Sequence, residues 1–221
     1  MEKWEDIVAP LREVDLDTLP GTWAPTTIYR PFELIQDPLK TKLIVLGQDP
    51  YHTPGLATGL AFGVPNSSKK LPPSLKNIIK KYGTNDITLA EWADAGVLLI
   101  NTALTVEMGK PYSHAKYWRE PVKEMLIRLI KYFNSEDHAV HFVLWGKKAI
   151  DLYNNISSEA DIHTFCASSH PSPLSCTRPI GNFPPFKSIC DLHNCPCRIL
   201  SSKTPVTYLC RDRPAPGAAE N

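Results

Sequence analysis

The sequence predicts an α/β fold, a three-layer α/β/α sandwich around a central, mainly parallel four-stranded sheet. Three observations lead there. Four short apolar runs, at residues 40–46, 97–100, 139–145 and 162–167, have the length and composition of buried strands. Amphipathic patterns of helical period separate them, the alternation expected when helices return the chain to the same edge of a parallel sheet. Each run also stops abruptly at a polar loop, and no internal repeat competes with this reading.

Taken in order, residues 2–14 carry Trp4, Ile7, Val8 and Leu11 at helical spacing, a first amphipathic helix. Residues 17–38 are rich in proline and aromatics and read as an ordered wrap over the core. The first strand, 40–46, hands over to Gly47-Gln48-Asp49-Pro50-Tyr51-His52. After a glycine-containing bend at 55–63, Leu71-Pro72-Pro73-Ser74 leads into a helix with Leu75, Ile78, Ile79 and Tyr82 on one face. Ser74 has the chemistry of its N-cap, and Gly83 suits its C-terminal stop. A short helix at 89–95 precedes the second strand, which ends at Asn101. Residues 120–133 form an amphipathic helix through Val122, Met125, Leu126, Leu129, Ile130 and Phe133. The third strand ends at Gly146-Lys147-Lys148, the start of another helix through Asn154. The fourth ends at Ser168-Ser169-His170-Pro171-Ser172-Pro173-Leu174-Ser175.

Composition bounds the function. With 221 residues, 43% hydrophobic and 21% charged, the chain is expected to form one globular domain over 1–210 with a disordered tail at 211–221. The formal net charge of +1 neither requires nor excludes a nucleic-acid partner, so any such footing must be a local basic patch. No apolar run approaches a membrane span, and the N-terminus lacks a signal-peptide pattern, which points to an intracellular protein with reduced thiols and no membrane association. The 21 prolines cluster between apolar runs, as shaped loops would have them.

Parallel strands bring their C-terminal loops to one edge of the sheet, where ligands of open α/β sheets bind. Asp49, Asn101, Gly146-Lys147 and His170 therefore converge: a carboxylate, a carboxamide, a turn suited to phosphate and an imidazole. Singly, an Asp after a strand is more often a turn cap and a lone His more often structural. Four such groups at one edge make a site.

These residues resemble family 1 uracil-DNA glycosylases. The resemblance rests on Gly-Gln-Asp-Pro-Tyr-His at 47–52, Gly-Leu-Ala-Phe at 59–62, Leu-Pro-Pro-Ser-Leu at 71–75, Leu-Leu-Ile-Asn at 98–101 and His-Pro-Ser-Pro-Leu-Ser at 170–175, in that order and spacing. It covers roughly residues 4–209, with weaker echoes at 191–194 and 205–208. It implies release of uracil from single- or double-stranded DNA by hydrolysis of the N-glycosidic bond, by a monomer without cofactor or metal, as the opening step of base excision repair.

The same resemblance implies the roles. Asp49 faces the sugar and positions the attacking water, while His170 hydrogen-bonds uracil O2 as negative charge builds there. Asn101 matches the donor at N3 and the acceptor at O4, which cytosine inverts. Tyr51 excludes the thymine methyl, Phe62 stacks on the flipped base and Gln48 lines the pocket. Pro72, Pro73, Ser74, Gly146, Lys147, Ser172 and Ser175 are implied to grip DNA, with Leu174 as the wedge filling the vacated stack. Lys69, Lys70, Lys147, Lys148, Arg178 and Lys187 would supply a basic strip along these loops.

The chain departs from the family at Lys147, where a small polar residue is common, at 176–183, and at Tyr208, where a Trp is common. Cys190, His193, Cys195, Cys197 and Cys210 invite a metal reading, but Cys-x-Cys lacks the paired CxxC spacing of a zinc site, so buried thiols are the expectation. Two other functions compete: a glycosylase scaffold serving only as a DNA tether, and a glycosylase for a different base. The joint presence of Asp49, Tyr51, Phe62, Asn101 and His170 favours the uracil enzyme over both.

Overall fold

All four expected strands lie in one parallel sheet, in a computed structural model that describes residues 2–160 and 162–186. They are β2 (Leu43–Gly47), β3 (Val97–Asn101), β5 (His141–Trp145) and β6 (Thr164–Ser168), in spatial order β3-β2-β5-β6. Two further strands, β1 (Trp23–Ala24) and β4 (Val106–Glu107), pair antiparallel beside it. The helices are α1 (Glu5–Arg12), α2 (Arg30–Leu34), α3 (Pro73–Tyr82), α4 (Ala90–Asp94), α5 (Ala115–Ser135) and α6 (Lys147–Asn154).

β2, β3 and β5 are buried throughout because both faces of the sheet are covered there, while the edge strand β6 is only partly covered. Side chains alternate between faces along a strand. Ile44, Leu46, Leu98, Ile100, Phe142 and Leu144 join a core with α1, α5 and α6. Leu43, Val45, Val97, Leu99, Val143 and Trp145 join another with α3 and α4. That division is the three-layer arrangement. The register aligns the strand ends that carry the chemistry: Gly47 lies opposite Asn101, and Trp145 opposite Ser168.

The expected wrap at 17–38 contains β1 and α2, tied down by a buried polar chain. Trp118 Nε1 donates to Thr105 Oγ1 at 2.7 Å, and His114 bridges Thr105 Oγ1 (2.9 Å) and the Pro20 carbonyl (3.1 Å). The carbonyl can only accept, so His114 Nε2 carries the proton and Nδ1 accepts from Thr105.

Two local expectations are corrected. Ser74 is not the N-cap of α3: Pro72 is, Pro73 opens the helix, and Ser74 sits inside its first turn. Proline has no N–H to leave unsatisfied at a helix start, so the helix begins two residues earlier than a serine cap would have it. The α5 helix starts at Ala115, not 120, and runs through Pro121; the buried Trp118 extends its apolar face upstream of the proline. Gly83 is the left-handed C-cap of α3, as its position suggested.

Among the described residues no helix is long and apolar enough to cross a membrane. The echoes at 191–194 and 205–208, Lys187, Tyr208, the cysteines from Cys190 onward, the boundary at 210 and the tail at 211–221 lie outside the described residues.

Candidate active site

The C-terminal ends of the strands open onto a cleft of about 950 Å³. Gln48, Asp49, Tyr51, Phe62, Pro72, Pro73, Ser74, His170, Ser172, Leu174 and Ser175 all line it, with Lys69 and Lys70 among its walls. Asn101, Gly146 and Lys147 do not. Asn101 is buried behind Gly47, its partner in register, and Gly146 backs His170.

Asp49 leaves β2 just past the last paired residue. Its Oδ2 accepts the backbone N–H of Tyr112 at 2.6 Å, and its Oδ1 accepts Gln48 Nε2 at 3.0 Å. Burial raises the carboxyl above its ordinary range, against the opposing pull of those two donors and of the nearby His52 imidazole. The carboxylate is thus oriented by two donors yet held in a partly desolvated setting, the condition under which it interacts strongly with a developing positive charge.

His170 follows β6 on a loop that bonds largely to itself. Its Nδ1 accepts the Ser172 N–H at 3.0 Å, so the neutral ring carries its proton on Nε2. Burial lowers its pKa to about 4, which keeps the imidazole neutral at physiological pH. A neutral ring with one committed nitrogen is a fixed hydrogen-bond donor. Asn77 Nδ2 braces the loop through the Pro171 carbonyl at 2.7 Å, and Ser175 Oγ donates to the His170 carbonyl at 3.0 Å.

Tyr51 and Phe62 are locked together. Tyr51 Oη lies 3.1 Å from the Phe62 carbonyl and 3.2 Å from Ser74 Oγ. A carbonyl cannot donate, so the phenol proton goes to Phe62 and the Ser74 hydroxyl must donate to Tyr51. Burial pushes the phenol up to about 12, so it stays neutral. Phe62 has φ +66°, unusual for a bulky residue. Tyr51 holds its carbonyl, while Trp145 meets its ring edge-on at 5.2 Å and His170 lies 5.7 Å away.

Of the loops named for DNA contact, those at 72–74 and 172–175 line the cleft, and the Gly146-Lys147 turn lies outside its lining. Leu174 is 86% exposed, whereas nearly all other large apolar side chains described are covered. Gly146 caps α6 at φ +93° and donates its N–H to the Ser168 carbonyl at 2.9 Å. Lys147 opens α6 and pairs with Asp151 at 3.1 Å. Ser172 Oγ accepts from the Leu174 N–H at 3.3 Å and retains its own proton for an acceptor.

A model of the Uracil DNA glycosylase superfamily matches residues 35–191, a span that contains every residue above. The chain belongs to that superfamily. A uracil-DNA glycosylase of Clostridium beijerinckii is 44% identical over 155 residues, 66% of each chain. One from Streptococcus suis is 41% identical over 180 residues, covering 76% of this chain and 80% of the relative. Among solved structures, a mimivirus uracil-DNA glycosylase superposes with a TM-score of 0.64 at 26% identity, covering 80% of this chain and 71% of that one. A mimivirus UNG variant in complex with UGI superposes with a TM-score of 0.70 at 25% identity, covering 86% and 80%.

Within this cleft two contributors, and a second contact of the already named Ser74, escaped the sequence reading. Tyr112 orients Asp49 through its backbone, 63 residues away, and does so from φ +61°. Asn77 braces the His170 loop. Ser74 orients Tyr51. A backbone donor leaves no residue-type signal, and the other two act across folds of the chain that spacing does not reveal. Among the described residues no group of three or more His, Cys, Asp and Glu side chains could hold a metal ion.

Proposed function

We propose that this cleft hydrolyses the N-glycosidic bond of deoxyuridine flipped out of DNA, releasing uracil and leaving an abasic site. The observation that carries the reading is the pairing, in one cleft, of a desolvated carboxylate with a neutral imidazole donor. Cleavage of C1′–N1 sends the bonding electrons to the base and leaves the sugar electron-poor, so opposite charges develop a few bonds apart. Asp49 stabilises the sugar cation and orients the water whose oxygen forms the new bond to C1′. His170 donates from Nε2 to O2 of the departing uracil anion without needing to transfer its proton.

Discrimination is assigned to the residues around this pair. The Asn101 carboxamide reads N3 and O4, Tyr51 stands against a 5-methyl group, and Phe62 supplies the stacking face. Gln48 contributes by holding Asp49. Phosphates are gripped by Ser172, by the N–H groups at the start of α6 behind Gly146 and Lys147, and by the Pro72-Pro73-Ser74 and Ser175 loops. Ser74 and Ser175 already donate within the protein, so their share is backbone contact and shape. Leu174 wedges into the stack that the uracil leaves. The working unit is one chain on one uracil-containing DNA, inside the cell.

The test is a release assay on single- and double-stranded oligonucleotides carrying uracil, thymine or cytosine at one position, with EDTA present. Free uracil and an alkali-labile site from the uracil substrates alone are expected. Tight binding with no release would instead make the chain a DNA tether.

A further inference from the structure

A second recess, of about 330 Å³, lies between the first half of α5 and the length of α6, with Thr102 and Tyr112 in its wall. Four cations line it: Lys116, Arg119, Lys123 and Lys148. Its two carboxylates are already engaged, Glu120 with Lys123 at 3.2 Å and Asp151 with Lys147 at 3.1 Å. Among the described residues Lys116, Arg119 and Lys148 have no ion-pair partner, and all three are exposed. In a chain of net charge +1, four cations against two carboxylates around one concavity make a local positive field.

Tyr112 joins this recess to the cleft. Its backbone N–H holds Asp49 on one side, and on the other its ring lies under Lys148, with Nζ 4.5 Å from the centroid. Lys148 is also the second residue of α6, directly after the Gly146-Lys147 turn. A cation of the recess is thus adjacent in the chain to the turn proposed above to grip a phosphate.

We propose that this recess binds a backbone phosphate of the DNA strand that carries the uracil, one or more nucleotides beyond the flipped position on the α5–α6 side. The proposal rests on the reading of the cleft as a DNA site. A phosphodiester fits the chemistry: it is anionic, it suits Arg119 as a forked donor and the two lysines as point charges, and it can accept from several directions. Its energetic part is electrostatic, through release of counterions from the DNA, and carries no sequence preference.

The experiment compares the intact protein with the triple variant Lys116→Gln, Arg119→Gln, Lys148→Gln. Binding is measured by anisotropy to single-stranded oligonucleotides bearing a stable abasic analogue, across a range of salt concentrations. The three side chains are exposed, and thermal melts check that the fold is kept. Loss of one phosphate contact should make the log–log salt dependence shallower by about 0.7 on a single strand. Shortening the oligonucleotide on one flank should weaken the intact protein and leave the variant unmoved, while shortening the other flank weakens both. An unchanged salt slope, or equal sensitivity of both proteins to both flanks, overturns the proposal. Uracil release by the intact protein is scored separately. Release with an unaltered slope removes the recess alone, and an altered slope without release removes the glycosylase reading alone.

Discussion

Gly47 and Asn101 face each other in register on adjacent parallel strands, and the Asn101 carboxamide oxygen occupies the space that a side chain on Gly47 would need. The same missing β-carbon lets the Phe62 ring approach, with Cε2 only 3.2 Å from where it would stand. The residue proposed to read the base and the residue proposed to stack on it both depend on one absent methyl. Gly47→Ala should therefore leave the sheet folded and lower kcat/KM for uracil release by about 100-fold or more, since small misplacements of positioning groups cost that much. A variant with wild-type turnover would show that neither residue needs its present position.

The protonation states on opposite sides of the cleft predict the pH profile. In its proposed role Asp49 must be ionised, and burial raises its carboxyl above the ordinary carboxylate range. Activity should accordingly fall as pH drops through that raised value, at a higher pH than a solvated aspartate would set. His170 stays neutral down to about pH 4 and adds no limb above it. A kcat/KM profile from pH 4 to 9 checks this; an acid limb surviving in the residual activity of Asp49→Asn would assign it elsewhere.

Two tasks are proposed for Tyr51, and substitution separates them. Tyr51→Phe keeps the bulk against a 5-methyl but removes the bond to the Phe62 carbonyl and strands the Ser74 hydroxyl. It should reduce uracil release several-fold and still reject thymine. Tyr51→Ala removes the wall and should permit measurable thymine release. Complete rejection of thymine by the alanine variant would mean that another group guards the methyl.

Leu174 tests the wedge. At 86% exposed it contributes little to the fold, so Leu174→Ala should leave the melting temperature within a degree or so of wild type, as surface substitutions usually do. Release from duplex should fall by about tenfold or more, since the extruded state loses its plug, with a smaller loss on single strands. Equal losses on both would count against a wedge.

Stability should carry its own acid signature through His163. This buried ring accepts the Val140 N–H at Nδ1, and burial together with the neighbouring His138 lowers its pKa to about 4. Between about pH 6.5 and 4 the unfolded chain binds a proton that the folded chain refuses, so stability is full above 6.5 and declines as pH falls through that window. The loss is on the order of 2 kcal/mol from this group. His163→Asn, which can keep the acceptor but cannot titrate, should flatten the decline in denaturant melts at pH 7 and 4.5.

What the sequence by itself determined was the sheet and its active edge. Four short apolar runs separated by helical patterns read as strands of a covered parallel sheet, and their polar stops then meet where those strands end together. That logic placed Asp49 and His170, which do line one cleft, and Asn101 close behind it. It failed where two local signals compete, as at Pro72-Pro73-Ser74, where proline took the cap and freed serine to reach Tyr51. Tertiary structure alone decided the fine orientation: the Tyr112 N–H on Asp49, the Ser172 N–H that sets the tautomer of His170, and Asn77 under the Pro171 carbonyl. It also decided which lysines share a recess. These contacts join backbone groups and surface charges distant in the chain, and nothing in residue type or period records where such groups meet.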